Sequence, residues 1–286
     1  MSLPGYWRSP LDPERVMHVN VTHWHEGMPQ AREDSLTVEE PLEVRIAHRS
    51  LAVIMRTPGH DAELAMGFLL TEGVIARATD ILSIEDETDA DGLPLANVVN
   101  VVLRNTAQQE AMQPQAVAFE RHFAVSASCG LCGKNSIADL LISTPPLEPN
   151  ELRIAAATLY ELPAQLRSQQ TVFTHTGGLH AAGLFTAGGE LLLLREDVGR
   201  HNAVDKIIGH GLLHGGFPYH QHILMVSGRT SFEIIQKALL ARISCIGAIS
   251  APSSLAVELA DRCGITLIGF LREHSMNVYT HAERIV

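Results

Sequence analysis

Two cysteines three positions apart, Cys129 and Cys132 in the segment SASCGLCGK, are the side chains of this sequence best suited to covalent chemistry. A strand-like HFAVSAS runs into them, and NSIADLLI, with Asn135 or Ser136 as cap, reads as a helix start just after. A thiol at such a junction sits near the positive end of a helix, which favours the nucleophilic thiolate. Lys134, His122 and Arg121 add positive potential, and Gly130 and Gly133 allow a tightly turned loop with accessible sulfur. Three chemistries compete for this element. Structural zinc needs two further ligands. The sequence has no second Cys-x-x-Cys, and His175 and His180 form no familiar spacing. Dithiol redox would use the same geometry, but a short redox domain is expected around it, whereas here α/β units follow after a proline linker. The third is sulfur carriage, in which a thiolate holds sulfane sulfur as a persulfide and passes it on by exchange. Spacing alone does not choose between the last two.

Three further segments carry polar groups that could hold a ligand. EDVGRHNAVDKIIGHG places Arg200 and His201 beside Gly199 at a helix start, an arrangement suited to anions. The same run, with Asp205 and Lys206, could instead be a solvated helix face carrying (i, i+4) pairs. VSGRTSFEIIQKAL leaves Arg229 in a loop between a strand and a helix capped by Ser231 with Glu233 in its first turn. Arg229 there is suited to phosphate recognition by its planar fork. GFLREHSMNVYTHAERI ends a strand with Arg272, His274, Ser275 and Asn277.

The elements that must position these groups are legible in outline. The chain has 286 residues, enough for one large or two ordinary domains. No apolar run approaches the roughly 18–20 residues of a membrane span, and residues 1–13 do not resemble a signal peptide. A cytoplasmic protein is expected. Its four cysteines argue against a disulfide scaffold, and Cys245 and Cys263 sit in apolar stretches as small buried hydrophobes. The formal charge of −11 lies wholly in residues 1–150, with 10 basic and 21 acidic residues against 11 of each in 151–286. Nucleic-acid binding, which needs a basic field, is not expected.

Residues 1–39 are polar and broken by prolines, and read as an extended arm with one edge strand. LEVRIAHRSLAVIM alternates as two strands around a turn at His48-Arg49. DAELAMGFLLTEGVI is helical, with Asp61 at its start and Gly73 as a stop signal. ILSIEDE and ANVVNVVLR are further strands, so residues 40–145 form an α+β unit ending in the cysteine loop. The Pro145-Pro146 to Pro149 cluster reads as a linker, and NELRIAAATLYELPAQLR after it as a helix. From there to the C-terminus, HAAGLFTAGGELLLLRED reads as a hairpin, followed by alternating helices and strands. Residues 146–286 are thus an α/β layer with partly parallel strands, whose ligands are expected at the carboxyl ends of those strands.

Taken together, SASCGLCGK, THTGGLHAAGLF, EDVGRHNAVDKIIG, SGRTSFEIIQKA, SAPSSLAVELA and TLIGFLREHSMNVYTH resemble the FdhD family of formate dehydrogenase accessory sulfurtransferases. The likeness runs from about Glu40 to the C-terminus. It implies a C-terminal three-layer α/β domain similar to cytidine deaminases, a smaller N-terminal α/β roll, and a homodimer. It also implies a sulfur carrier that loads from a cysteine desulfurase and sulfurates the molybdenum cofactor, in its bis-molybdopterin guanine dinucleotide form, for formate dehydrogenase. That cofactor is a client ligand, with none permanently bound and no resident metal. By the same resemblance Cys129 bears the persulfide with Cys132 as its partner, and the cofactor is bound near Phe270, Leu271, Arg272, Glu273, His274 and Ser275. The ligand's phosphates would account for Arg200, His201, Arg229, Lys237 and Arg272 beside loops of the neutral half. A cofactor chaperone without sulfur chemistry and a zinc protein of deaminase-like fold are the alternatives. A zinc deaminase needs His-x-Glu followed by Pro-Cys-x-x-Cys. Here His180-Ala181-Ala182 lacks the Glu, and the Cys-x-x-Cys comes first.

Overall fold

The computed structural model describes residues 6–8, 12, 14–85, 87–89, 91–93, 95–104, 144–149 and 151–286. Three sheets organise them. Strands β1 (Tyr6–Arg8), β2 (Val16–His25) and β3 (Met28–Thr37) form an antiparallel sheet in that order. This differs from the expected extended arm with a single edge strand. Every β3 residue is at least partly exposed, so its sequence lacks the in–out alternation that marks a half-buried strand. The β2–β3 turn is Glu26-Gly27, with both residues at positive φ, as a two-residue hairpin requires.

The second sheet, in the order β5-β4-β7-β6, contains β4 (Glu40–Ile46), β5 (Arg49–Arg56), β6 (Ile81–Glu85) and β7 (Val98–Leu103). The β4–β5 turn is Ala47-His48, one residue before the expected His48-Arg49. Both residues take φ > 0, and the His48 N–H donates to Asn100 Oδ1 at 2.8 Å. Helix α1 (Asp61–Thr71) follows β5 and ends just before Gly73 at φ +75°.

The third sheet is mixed, in the order β13-β12-β11-β10-β8-β9. Its members are β8 (His180–Thr186), β9 (Leu191–Asp197), β10 (His222–Val226), β11 (Cys245–Ala248), β12 (Thr266–Arg272) and β13 (Ser275–Thr280). Strands β10, β11 and β12 run parallel, and the other pairings are antiparallel. Alternate residues of β10 face opposite sides. Ile223 and Met225 join Leu159, Leu162 and Leu166 of α2 (Ala156–Gln169) in one core, with α3 (Thr171–Thr176) next in the chain. Leu224 and Val226 face a larger core built by α4 (Arg200–His214), α5 (Phe232–Leu240) and α6 (Ser254–Cys263). Helix, sheet and helices thus make three layers, the mixed α/β class expected.

The larger core runs without a break into α1 and the four-stranded sheet, including Leu64, Leu69, Leu42 and Val101. The joint is the α1–α4 crossing. A Cβ added at Gly67 would run into the Asp205 carbonyl oxygen, and one added at Gly209 into that of Glu63. Only glycine lets the two backbones approach so closely. Two buried ion pairs lie beside this joint. Lys206 Nζ meets Asp197 Oδ2 at 2.7 Å and donates to the Thr57 carbonyl at 2.9 Å, and Lys237 Nζ meets Asp205 Oδ2 at 2.8 Å and Thr71 Oγ1 at 2.8 Å. Burial pushes the Asp205 carboxyl above its usual range despite Lys237.

Candidate functional site

The parallel strands β10 and β11 open at their carboxyl ends into Ser227–Ser231 and Ile249–Ser253, where a ligand of an α/β layer is expected. These loops are tied together. Thr230 and Pro252 form a parallel bridge, the Thr230 N–H donates to the Ala251 carbonyl at 3.2 Å, and the Ser253 N–H donates to that of Thr230 at 3.0 Å. On one side the Phe270 N–H donates to the Ser250 carbonyl at 3.3 Å, which joins the end of β12 to the same ledge. On the other side the antiparallel β8 and β9 bring His180 and Asp197 to this end of the sheet, paired with each other.

Asp197 sets the α4 start. Its Oδ1 accepts from the Gly199 N–H and Asn202 Nδ2, both at 2.8 Å, and its Oδ2 pairs with Lys206. Arg200 and His201 then begin the helix over the Ser227–Ser231 loop. Gly228 keeps this packing close: a Cβ there would lie 3.2 Å from His180 Nδ1 and 3.7 Å from Arg200 Cβ. His201 Nε2 is 3.3 Å from Ser231 Oγ and 4.0 Å from Glu233 Oε2.

The electrostatics of this ledge are cationic without charged histidines. Burial, then Arg200 and Lys237, pushes the His201 imidazole down to about 4. Burial and then Arg200 also lower His180. Burial raises the Glu233 carboxyl, but hydrogen bonds from Ser231 and its own N–H, with His201 and Arg200 nearby, bring it below the usual range. Arg200 is half-buried, and its Nε has no hydrogen-bond partner among the described residues. Arg229 is exposed at the loop tip. Two neutral imidazoles and two guanidiniums suit an anionic, hydrogen-bonding ligand.

The sequence-predicted residues divide accordingly. Arg200, His201 and Arg229 come together. Arg272 lies along the ledge, its Nη1 donating to the Ile249 carbonyl at 2.6 Å and to that of Leu271 at 2.8 Å. Phe270 is exposed at φ +51° where β12 breaks register with β13, and Glu273, His274 and Ser275 are exposed at the β12–β13 turn. Two residues depart from expectation. Leu271 has its side chain fully buried in the α2-side core, leaving only its backbone to face a ligand. Lys237 is buried and held by Asp205 and Thr71, so it does not reach a phosphate. Asp205 and Lys206 likewise form buried pairs, with Lys237 and Asp197, rather than a solvated helix face. His180, which in the sequence suggests only a zinc ligand, comes to lie beside Arg200 through the β8–β10 pairing.

Cys129 and Cys132, with Arg121, His122 and Lys134, lie outside the described residues. Cys245 and Cys263 are fully buried, and burial pushes their thiols up to about 12 and about 11, which keeps them protonated and inert. A cavity of about 500 Å³ near α1 is lined by Glu14, Glu40, Arg56, His60, Asp61 and Asn97. Its arginine is already engaged by Asp61 at 2.8 Å and Asn97 at 2.6 Å. Among the described residues, no helix is long and apolar enough to cross a membrane.

The model of the FdhD/NarQ family matches residues 37–286. The sulfur carrier protein FdhD of Nocardia farcinica is 49% identical over 257 residues, covering 89% of each chain. That of Mycobacterium tuberculosis is 47% identical over 276 residues, covering 94% of this chain and 98% of its own. That of Sulfolobus acidocaldarius is 42% identical over 271 residues, covering 95% and 99%. A crystal structure from Desulfotalea psychrophila, described as a formate dehydrogenase accessory protein, superposes with a TM-score of 0.72 over 95% of this chain and all of its own. At 23% identity it speaks for the fold alone.

Proposed function

The chain belongs to the FdhD/NarQ family, and from that premise we propose that it is a sulfur carrier serving formate dehydrogenase. The observation that carries the reading is that the family match over residues 37–286 spans the Cys129–Cys132 element and every segment of the cationic ledge. The Cys129 thiolate attacks the outer sulfur of a persulfide on a cysteine desulfurase. The donor S–S bond breaks, a new one forms on Cys129, and the donor cysteine leaves as a thiolate. Cys132 assists release. The sulfur is delivered to the molybdenum cofactor, a guanine-dinucleotide substrate whose phosphates Arg200, Arg229 and Arg272 would hold while neutral His180 and His201 accept or donate hydrogen bonds. The protein works in the cytoplasm as a homodimer.

Burial of Cys245 and Cys263 supports this reading, because it leaves the reactive role to the other two thiols. Complementation of formate dehydrogenase activity in cells lacking their own carrier tests it against the chaperone alternative. A sulfur carrier loses activity with Cys129→Ala and loses it again with Arg229→Ala/Arg272→Ala. Full activity from Cys129→Ala, alongside loss from the arginine variant, would mean ferrying without sulfur chemistry.

A further inference from the structure

At the α1–α4 joint, away from the ledge, three side chains converge that the proposed sulfur transfer does not use. Glu63 Oε1 lies 2.9 Å from His210 Nδ1 and 4.0 Å from His214 Nε2, and the three donor atoms all lie within 4.8 Å of one another. His210 and His214 stand four apart on one helix face with ring centroids 4.5 Å apart. We propose that Glu63, His210 and His214 form a binding site for a divalent transition-metal ion, zinc foremost, which clamps α1 to α4.

The donor set is two imidazoles and one carboxylate, the kind that holds zinc with a position left for water. With metal–ligand distances of about 2.1 Å, donor atoms around a tetrahedral ion stand about 3.4 Å apart. The observed 2.9 and 4.0 Å fall on either side of that spacing, and the third separation does not exceed 4.8 Å. Exposure of the side chains rises from 8% for Glu63 to 32% for His210 and 58% for His214, which gives an ion an entry side and an anchored floor.

The floor is fixed independently of any ion. The Gly209 backbone rests against the Glu63 carbonyl, so the carboxylate and the histidine pair keep their spacing through the helix crossing itself. Arg195 holds the carboxylate by a fork, Nε to Oε2 at 2.6 Å and Nη2 to Oε1 at 2.7 Å. A carboxylate oxygen has two lone pairs, so Oε1 keeps one toward the histidines. Arg195 therefore orients the ligand, as partners behind metal ligands commonly do. Its charge, and Nη2 at 3.3 Å from His210 Nδ1, also set an upper limit on affinity. His60 Nδ1, 3.6 Å from Glu63 Oε2, stands by the other oxygen.

The test uses untagged full-length protein stripped of metal, in a Cys129→Ser/Cys132→Ser background so that thiolates cannot compete. Titration with cobalt(II) chloride, followed by zinc chloride displacement, is read by visible absorption and calorimetry. One saturable equivalent is expected, without a thiolate-to-cobalt band, and with affinity at least tenfold weaker in His210→Ala and in His214→Gln. The exposed His214 can be changed without disturbing the core, so loss of binding there cannot be laid to misfolding. Absence of a saturable site in the Cys129→Ser/Cys132→Ser background overturns the proposal. So does unchanged binding in both histidine variants, which would move the ion to other histidines such as His23 and His25. Neither result bears on sulfur loading of Cys129.

Discussion

Replacing Gly209 with alanine puts a methyl group where the Glu63 carbonyl oxygen sits, while an ordinary Cβ contact is 3.4–4 Å. Both sides of the clash are backbone, so no rotamer change relieves it and the helices must move apart. Overpacking of this kind costs about 1–3 kcal/mol, and the absence of a flexible neighbour argues for the upper end. Alanine's better helix propensity offsets up to about 1 kcal/mol. The net expectation is a loss of about 2 kcal/mol, or a fall in Tm of about 4–8 °C for a chain of this size. Urea unfolding followed by circular dichroism measures the first, and a thermal melt the second. Gly67→Ala should behave alike because its Cβ would meet the Asp205 carbonyl of the same crossing. The double variant should lose less than the sum, since one separation relieves both clashes. A Gly209→Ala protein as stable as wild type would refute the close backbone crossing, and with it the rigid spacing of Glu63 and His210.

The remaining predictions concern charge, protons and thiols. Asp197→Ala strands the Lys206 ammonium beneath the ledge and should cost about 3–5 kcal/mol in urea unfolding; a cost below 1 kcal/mol would deny the buried pair. His201 is held neutral down to about 4 in the folded chain, below its unfolded value near 6.5, so its contribution is complete above pH 6.5 and is lost as pH falls toward 4. The stability gap between wild type and His201→Gln should therefore change by roughly 3 kcal/mol between pH 7 and pH 4, and a constant gap would count against a buried neutral imidazole. Iodoacetamide applied to the native protein should label Cys129 and Cys132 and spare Cys245 and Cys263 until denaturant is added. Labelling of Cys245 without denaturant contradicts its burial.

Much of the architecture was legible because it follows local rules. Alternation marks β4 and β5, the Gly188-Gly189 turn marks the β8–β9 hairpin, helical spacing marks α1, and Gly73 marks the end of α1. The β2–β3 hairpin was not, because a strand exposed on both faces carries no apolar period. The ledge was half legible: Arg200, His201 and Arg229 stood out beside glycine-bearing loops, whereas His180 joins them only through antiparallel pairing across the sheet. Lys237 looked like a phosphate ligand because a sequence does not show that Asp205, 32 residues away, turns inward to meet it. The His210–His214 spacing was visible as four residues on a helix, but nothing near Glu63 in the chain announces its place between them.

The most direct test of sulfur carriage is the mass of the Cys129 peptide after incubation with a cysteine desulfurase and cysteine. A gain of one sulfur atom on Cys129, removed by a thiol reductant and absent in Cys129→Ala, is the predicted result. A fully active desulfurase that leaves the Cys129 peptide at its original mass would contradict it.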